Sequence, residues 1–207
     1  MIINWYGEGC FKVQTGGLTL ITDPFDSSVG LNAARGKNEA ILRTMVEWPA
    51  PEGSKEEQEI LGPGEYEVKG IEVTGIAVPK ESSDKLIKTI YTVKAEDMNL
   101  CFLGHLSSNP DAEILDELEK VDILFIPAGG KGFIDEEAAA KFIKQIDPKI
   151  VVMSFFKVPG LKRAGAGDVK DLAKELGHPL EMEEKLVIKK KDLTEGKVKM
   201  RVIALKI

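Results

Sequence analysis

Histidine and cysteine are scarce in this chain: its 207 residues hold two of each, His105, His178, Cys10 and Cys101. That scarcity excludes a CxxC-type zinc motif and a disulfide framework, and because both cysteines lie in apolar strand-like segments they read as buried structural thiols. Long hydrophobic runs are missing too. None approaches the roughly 18 residues a spanning helix needs, and the opening Met1 to Cys10 lacks the basic region and apolar stretch of a secretory signal. The expected location is cytoplasmic, with no membrane partner. Neither sign of charge forms a long block: 28 basic against 34 acidic residues give a net charge of −6, so no footprint for nucleic acid is visible. The short run Lys189 to Lys191, bounded by Asp192 and Glu195, reads as a solvated hairpin turn.

What is present is ample apolar residue, 43% of the chain, enough for one sizeable core and a single domain over 1–207. Short apolar runs, Ile2 to Tyr6, Cys10 to Thr15 and Leu18 to Thr22, predict three antiparallel strands, with Gly16 and Gly17 at a two-residue turn. Residues Leu31 to Val46 are mixed and are compatible with a helix closed by Pro49 and Pro51. Glu52 to Glu59 is charged and reads as a loop or a surface turn of helix. Two hairpins follow, Gly64 to Val68 with Ile71 to Ile76, then Thr89 to Val93 with Asn99 to Leu103. After His105 the rhythm alternates: a helix over Asp111 to Leu118, a buried strand over Val121 to Pro127, a helix over Asp135 to Ile146, a strand over Ile150 to Met153, and a helix over Gly167 to Leu176 stopped by Gly177. Strands near Glu183 to Ile188 and Val198 to Leu205 close the chain. This is an α/β or α+β layered domain.

Local motifs go further. Trp5-Tyr6-Gly7-Glu8-Gly9-Cys10-Phe11 is followed by Leu20-Ile21-Thr22-Asp23-Pro24-Phe25 and then by Gly62-Pro63-Gly64-Glu65-Tyr66-Glu67-Val68. Cys101-Phe102-Leu103-Gly104-His105-Leu106 and Val121 to Gly130 come after. In this order the segments resemble the metallo-β-lactamase superfamily, in its Zn-dependent hydrolase branch of ascorbate-phosphate-lactonase-like proteins, over about three quarters of the chain. The resemblance implies an α/β fold, a four-layer αββα sandwich with a dinuclear metal site on one edge. There, histidines and carboxylates hold zinc, manganese or iron and turn a bound water into hydroxide.

The chain departs from that pattern where the metal should be held. The HxHxDH loop aligns with Met45, Glu47, Pro49 and Ala50, a later ligand with Lys80, the bridging aspartate with His105 and the final histidine with Phe155. No histidine precedes His105. The expectation is therefore no metal ligands and no cofactor, with zinc or manganese implied only if this alignment is wrong. The weak catalytic candidates are His105, Glu8, Asp23 and Glu65; Lys80, Ser154 and Lys157 are binding candidates. Glu8 can pair with Lys80 or Lys157 if all three line the former metal pocket. His105 can be structural, part of a non-metal ligand site, or a residual metal ligand. Asp23 and Glu65 can serve turns or the site. Gly160 to Gly167 forms a basic loop near the same edge, where an anion can meet it, and the Gly129-Gly130 loop lacks phosphate-loop spacing. The functional expectation is a non-catalytic relative that binds an unidentified protein or small ligand, its edge plugged by Met45, Trp48 and Phe155, and homo-oligomeric by resemblance only. The alternative is a divergent hydrolase with a reworked or altered-metal cleft.

Overall fold

A computed structural model describes residues 1–50, 58–118, 120–194 and 199–207. The strands in chain order are β1 (Ile2–Gly7), β2 (Cys10–Thr15), β3 (Leu18–Thr22), β4 (Ala40–Arg43), β5 (Met45–Glu47), β6 (Glu59–Leu61), β7 (Gly64–Val68), β8 (Ile71–Ala77), β9 (Leu86–Ala95) and β10 (Met98–Phe102). Helix α1 (Ala112–Glu117), β11 (Ile123–Pro127), α2 (Glu136–Ile146), β12 (Ile150–Ser154), α3 (Val169–Leu176), β13 (Leu180–Glu183), β14 (Leu186–Val187) and β15 (Arg201–Leu205) follow.

Two sheets result. The first runs β14-β1-β2-β3-β4-β6; the second runs β13-β15-β12-β11-β10-β9-β8-β7, with β5 also paired to β9. One contiguous core joins them, and Phe11 of β2 meets Phe125 of β11 edge-on at 4.8 Å. In the second sheet β10, β11 and β12 are parallel neighbours. Their connections are helices, and right-handed crossovers in one direction set α1 and α2 on one face, away from the first sheet. Strands buried on both sides must be apolar throughout, as Ile123 to Pro127 and Ile150 to Ser154 are. Asp135 caps α2 by accepting from the Ala138 amide, and Gly177 ends α3 in the left-handed conformation. Among the described residues no helix is long and apolar enough to cross a membrane.

The α/β sandwich and its hairpins form as the sequence predicts, with three corrections. The helix compatible with Leu31 to Val46 does not form. Ala40 to Leu42 instead runs parallel between β3 and β6, and Phe25 and Ala34 cover Cys10, Ile21 and Ile41 behind it. The strand expected over Glu183 to Ile188 is split, β13 going to the second sheet and β14 to the first. Lys190 to Leu193 form a 3-10 turn rather than a hairpin, with Lys190 bonded to the buried Asp122. Residues 52–57 of the charged stretch lie outside the described residues.

Candidate functional site

The carboxyl ends of β3, β4, β10 and β12 and the β1–β2 turn meet at one edge of the sandwich. Here the backbone is strained. Seven described non-glycine residues have positive φ. Lys69, Glu96, Asp97 and Asp147 lie in hairpins or a helix end elsewhere; Glu8 (51°), in the β1–β2 turn, Asp23 (38°) and Phe155 (54°) stand around this edge. Such conformations cost about 1–3 kcal/mol each and persist where the surroundings hold them. The Phe155 amide donates to the Glu8 carbonyl (3.1 Å), and the Trp5 indole donates to that same oxygen (2.9 Å). Gly9 has to be glycine, because a Cβ there would lie 2.6 Å from the Phe155 ring and 2.9 Å from Asp23 Oδ2.

Thr44 is the residue at which the chain crosses from β4 in the first sheet to β5 in the second. Its amide donates to Asp23 Oδ1 (2.8 Å), its hydroxyl lies 2.6 Å from Asp23 Oδ2, and the same hydroxyl lies 2.8 Å from His105 Nδ1. Asp23 and His105 are thus linked through a hydroxyl, their own nearest approach being 3.7 Å. The His105 ring packs edge-on against Phe155, with centroids 4.8 Å apart. Behind it, Lys88 Nζ donates to the His105 carbonyl (2.7 Å) and pairs with Glu81 (2.8 Å), and Glu81 accepts from the amides and hydroxyls of Ser107 and Ser108. Burial alone would raise the Glu81 carboxyl; the bonds from Lys88 and the two serines outweigh it and hold it below the usual glutamate range.

A cavity of about 480 Å³ opens over these residues, within the range of roughly 300–1,000 Å³ usual for ligand pockets. His105, Asp23 and Glu8 stand in its wall with Arg43, Lys162 and Arg163. Glu8 pairs with Arg163 (2.8 Å), which also donates to the Phe155 carbonyl (2.6 Å) and lies over the Phe133 ring. Lys80 and Lys157, the partners open to Glu8 had all three lined one pocket, do not line it. Lys80 is exposed and bonded to Asp111, and Lys157 is exposed outside the cavity. Glu65 stands in β7 opposite Thr74, away from this edge, and Ser154 is buried beneath it. Glu47 is exposed in β5 opposite Leu86. The plug forms only in part: Phe155 is buried at 1%, but Met45 and Trp48 are 38% and 47% exposed and leave the cavity open. Thr44, Arg43 and Arg163 are the residues that sequence reasoning missed as site members. Arg163 lies in the basic loop Gly160 to Gly167, but 155 positions from Glu8.

The beta-lactamase superfamily domain model matches residues 2–153. The chain belongs to the metallo-β-lactamase superfamily. A metal-dependent hydrolase of Methanopyrus kandleri is 22% identical to it over 88% of this chain and 95% of that one. A Thermotoga maritima protein described as a Zn-dependent hydrolase of the metallo-β-lactamase superfamily superposes with a TM-score of 0.80 at 23% identity, covering 99% and 98% of the two chains. A metallo hydrolase of Ignicoccus hospitalis gives 0.61 at 16% identity over 85% and 90%. At these identities the structures speak for the fold alone.

The metallo-β-lactamase superfamily implies a metal, and the donor set at this edge does not fit one. Among the described residues no three His, Cys, Asp or Glu side chains gather in metal-binding range. Thr44 engages both Asp23 oxygens and His105 Nδ1, and Arg163 engages Glu8 Oε2; Glu8 Oε1 and His105 Nε2 remain, two donors where a first shell needs three or four. Cys10, behind Asp23, is no substitute, since burial first and the Asp23 charge second push its thiol up to about 12.

Proposed function

We propose that this chain keeps the metallo-β-lactamase sandwich without its dinuclear hydrolytic centre, and that the open edge binds a small ligand. The carrying observation is how the donors are used. Both Asp23 oxygens are bonded to Thr44, which also holds the Nδ1 side of His105, and Glu8 is paired with Arg163, so fewer than three donors are left free for a cation. A guanidinium beside Glu8 opposes a dication by its own charge. The cavity, in contrast, has ligand-sized volume with apolar walls and a few polar groups.

A second reading is favoured by one specific feature. The Asp23, Thr44 and His105 chain orients an imidazole at the cavity, as acid–base chemistry without metal requires. The relatives named as metal-dependent hydrolases keep hydrolysis in view as the reaction class.

The first test is metal content by plasma mass spectrometry, on protein purified without chelator and again after incubation with zinc and manganese. Well under one ion per chain in both preparations is the expected result. One or two tightly held ions per chain would overturn the proposal and send the protein to hydrolase assays.

A further inference from the structure

The reading of the edge cavity as a binding pocket leaves its ligand's chemistry open, and the proton inventory of the wall narrows it. The Thr44 hydroxyl owns one proton and lies within hydrogen-bond distance of both Asp23 Oδ2 (2.6 Å) and His105 Nδ1 (2.8 Å). A carboxylate has only lone pairs to offer, so the hydroxyl donates to Asp23 and accepts from the imidazole. The N–H of neutral His105 therefore sits on Nδ1, and Nε2 carries a lone pair. Nε2 has no hydrogen-bond partner among the described residues, and the ring, 23% exposed, lines the cavity. The cavity lining thus offers two acceptors with no partner among the described residues, this nitrogen and the buried Glu8 Oε1, and they call for a donor.

The cations of the lining call for something else. Of the three cations around the cavity, Arg43 is bonded to Glu59 and the Pro24 carbonyl, and Arg163 to Glu8 and the Phe155 carbonyl. Lys162 is exposed and has no ion-pair partner among the described residues. Asp23, held among the described residues by the neutral Thr44 alone, keeps an anion from the His105 side, so the one unpaired cation, Lys162, matches a monoanion and leaves a dianion half-neutralised. The same lining carries the apolar side chains of Phe25, Val29, Met45 and Phe155.

We propose that the pocket takes a monocarboxylate with an apolar body and a hydrogen-bond donor at its far end, the donor on His105 Nε2 and the carboxylate at Lys162. This rests on the binding-pocket reading. The probe is 3-(4-hydroxyphenyl)propanoate, set against 3-phenylpropanoate, which lacks the donor, and 3-(4-hydroxyphenyl)propanamide, which lacks the charge. A linear pair, 8-hydroxyoctanoate and octanoate, repeats the comparison in a thinner body. Calorimetry on the full chain should find each hydroxy acid at least tenfold tighter than its partner without the donor, and the aromatic acid at least tenfold tighter than its amide. Lys162→Gln should erase the preference for acid over amide while keeping that for the hydroxyl. Independently of any ligand, nitrogen NMR of the wild-type protein should find His105 protonated on Nδ1 alone when neutral.

A proton on Nε2, equal binding of the paired compounds, or no binding by any of them would overturn the proposal. Tighter binding of inorganic phosphate would overturn the ligand class but leave the binding pocket standing. Tightly held metal ions would instead remove the reading on which the proposal rests.

Discussion

Thr44 is a buried hydroxyl with one proton and two polar neighbours, so its removal strands both. In Thr44→Val the shape is kept but Asp23 Oδ2 and His105 Nδ1 lose their partner, and Asp23 is only 9% exposed. An unsatisfied buried group costs about 1–3 kcal/mol, and that is the expected loss by urea denaturation, with Thr44→Ser retaining most of the stability. Equal midpoints for Val and wild type would mean that the chain of bonds holds nothing together. Glu81 allows a pH test at the same site. Its folded carboxyl is held below the ordinary range by Lys88, Ser107 and Ser108 against burial. Its contribution is therefore fully present above the unfolded value of about 4.3 and is lost as pH falls through the lower folded value. Glu81→Gln should melt below wild type at neutral pH, and the gap should narrow on acidification below about pH 4. A gap independent of pH would show that charge plays no part.

At the scale of elements, the edge depends on how closely β4 and the turn after β10 approach. Gly104 sits at φ 57°, and a Cβ there would lie 2.1 Å from Thr44 Oγ1. Gly104→Ala combines a left-handed strain of about 1 kcal/mol with overpacking of about 1–3 kcal/mol. The expected loss is about 2–4 kcal/mol by chemical denaturation, together with a shift of the His105 ring signals. The elements themselves were largely legible in the sequence, since alternation, the Asp135 cap and the Gly177 stop each act locally. Residues 40–42 were not, because a three-residue apolar run buried between parallel neighbours carries no period that separates strand from helix. The site was legible as an edge, since the motifs holding Glu8, Asp23 and His105 converge there. Its rebuilt contacts were not, because Glu8 and Arg163, or Thr44 and His105, meet only through the tertiary fold and carry no common spacing.

For the whole molecule, one core running through both sheets predicts that a metal, if bound at the edge, would be felt by the entire fold. Anything that binds only the native state at a hundred times its dissociation constant stabilises it by about 2.7 kcal/mol. For a chain of this length that is a rise in melting temperature of roughly 5–10 °C. On the proposal that the edge keeps too few free donors for a first shell, millimolar zinc or manganese should leave the transition within about a degree of its metal-free value. The buried Trp5, stacked 4.3 Å from Phe156, reports on the core, while the exposed Trp48 does not, so Trp48→Phe isolates the core signal. In that variant the fluorescence and far-ultraviolet dichroism transitions should coincide, as a single cooperative unit requires. A rise of several degrees with either metal, seen by both probes, would mean that the edge rearranges to assemble a ligand set, and the pairing of Glu8 with Arg163 would then be the contact that has to break.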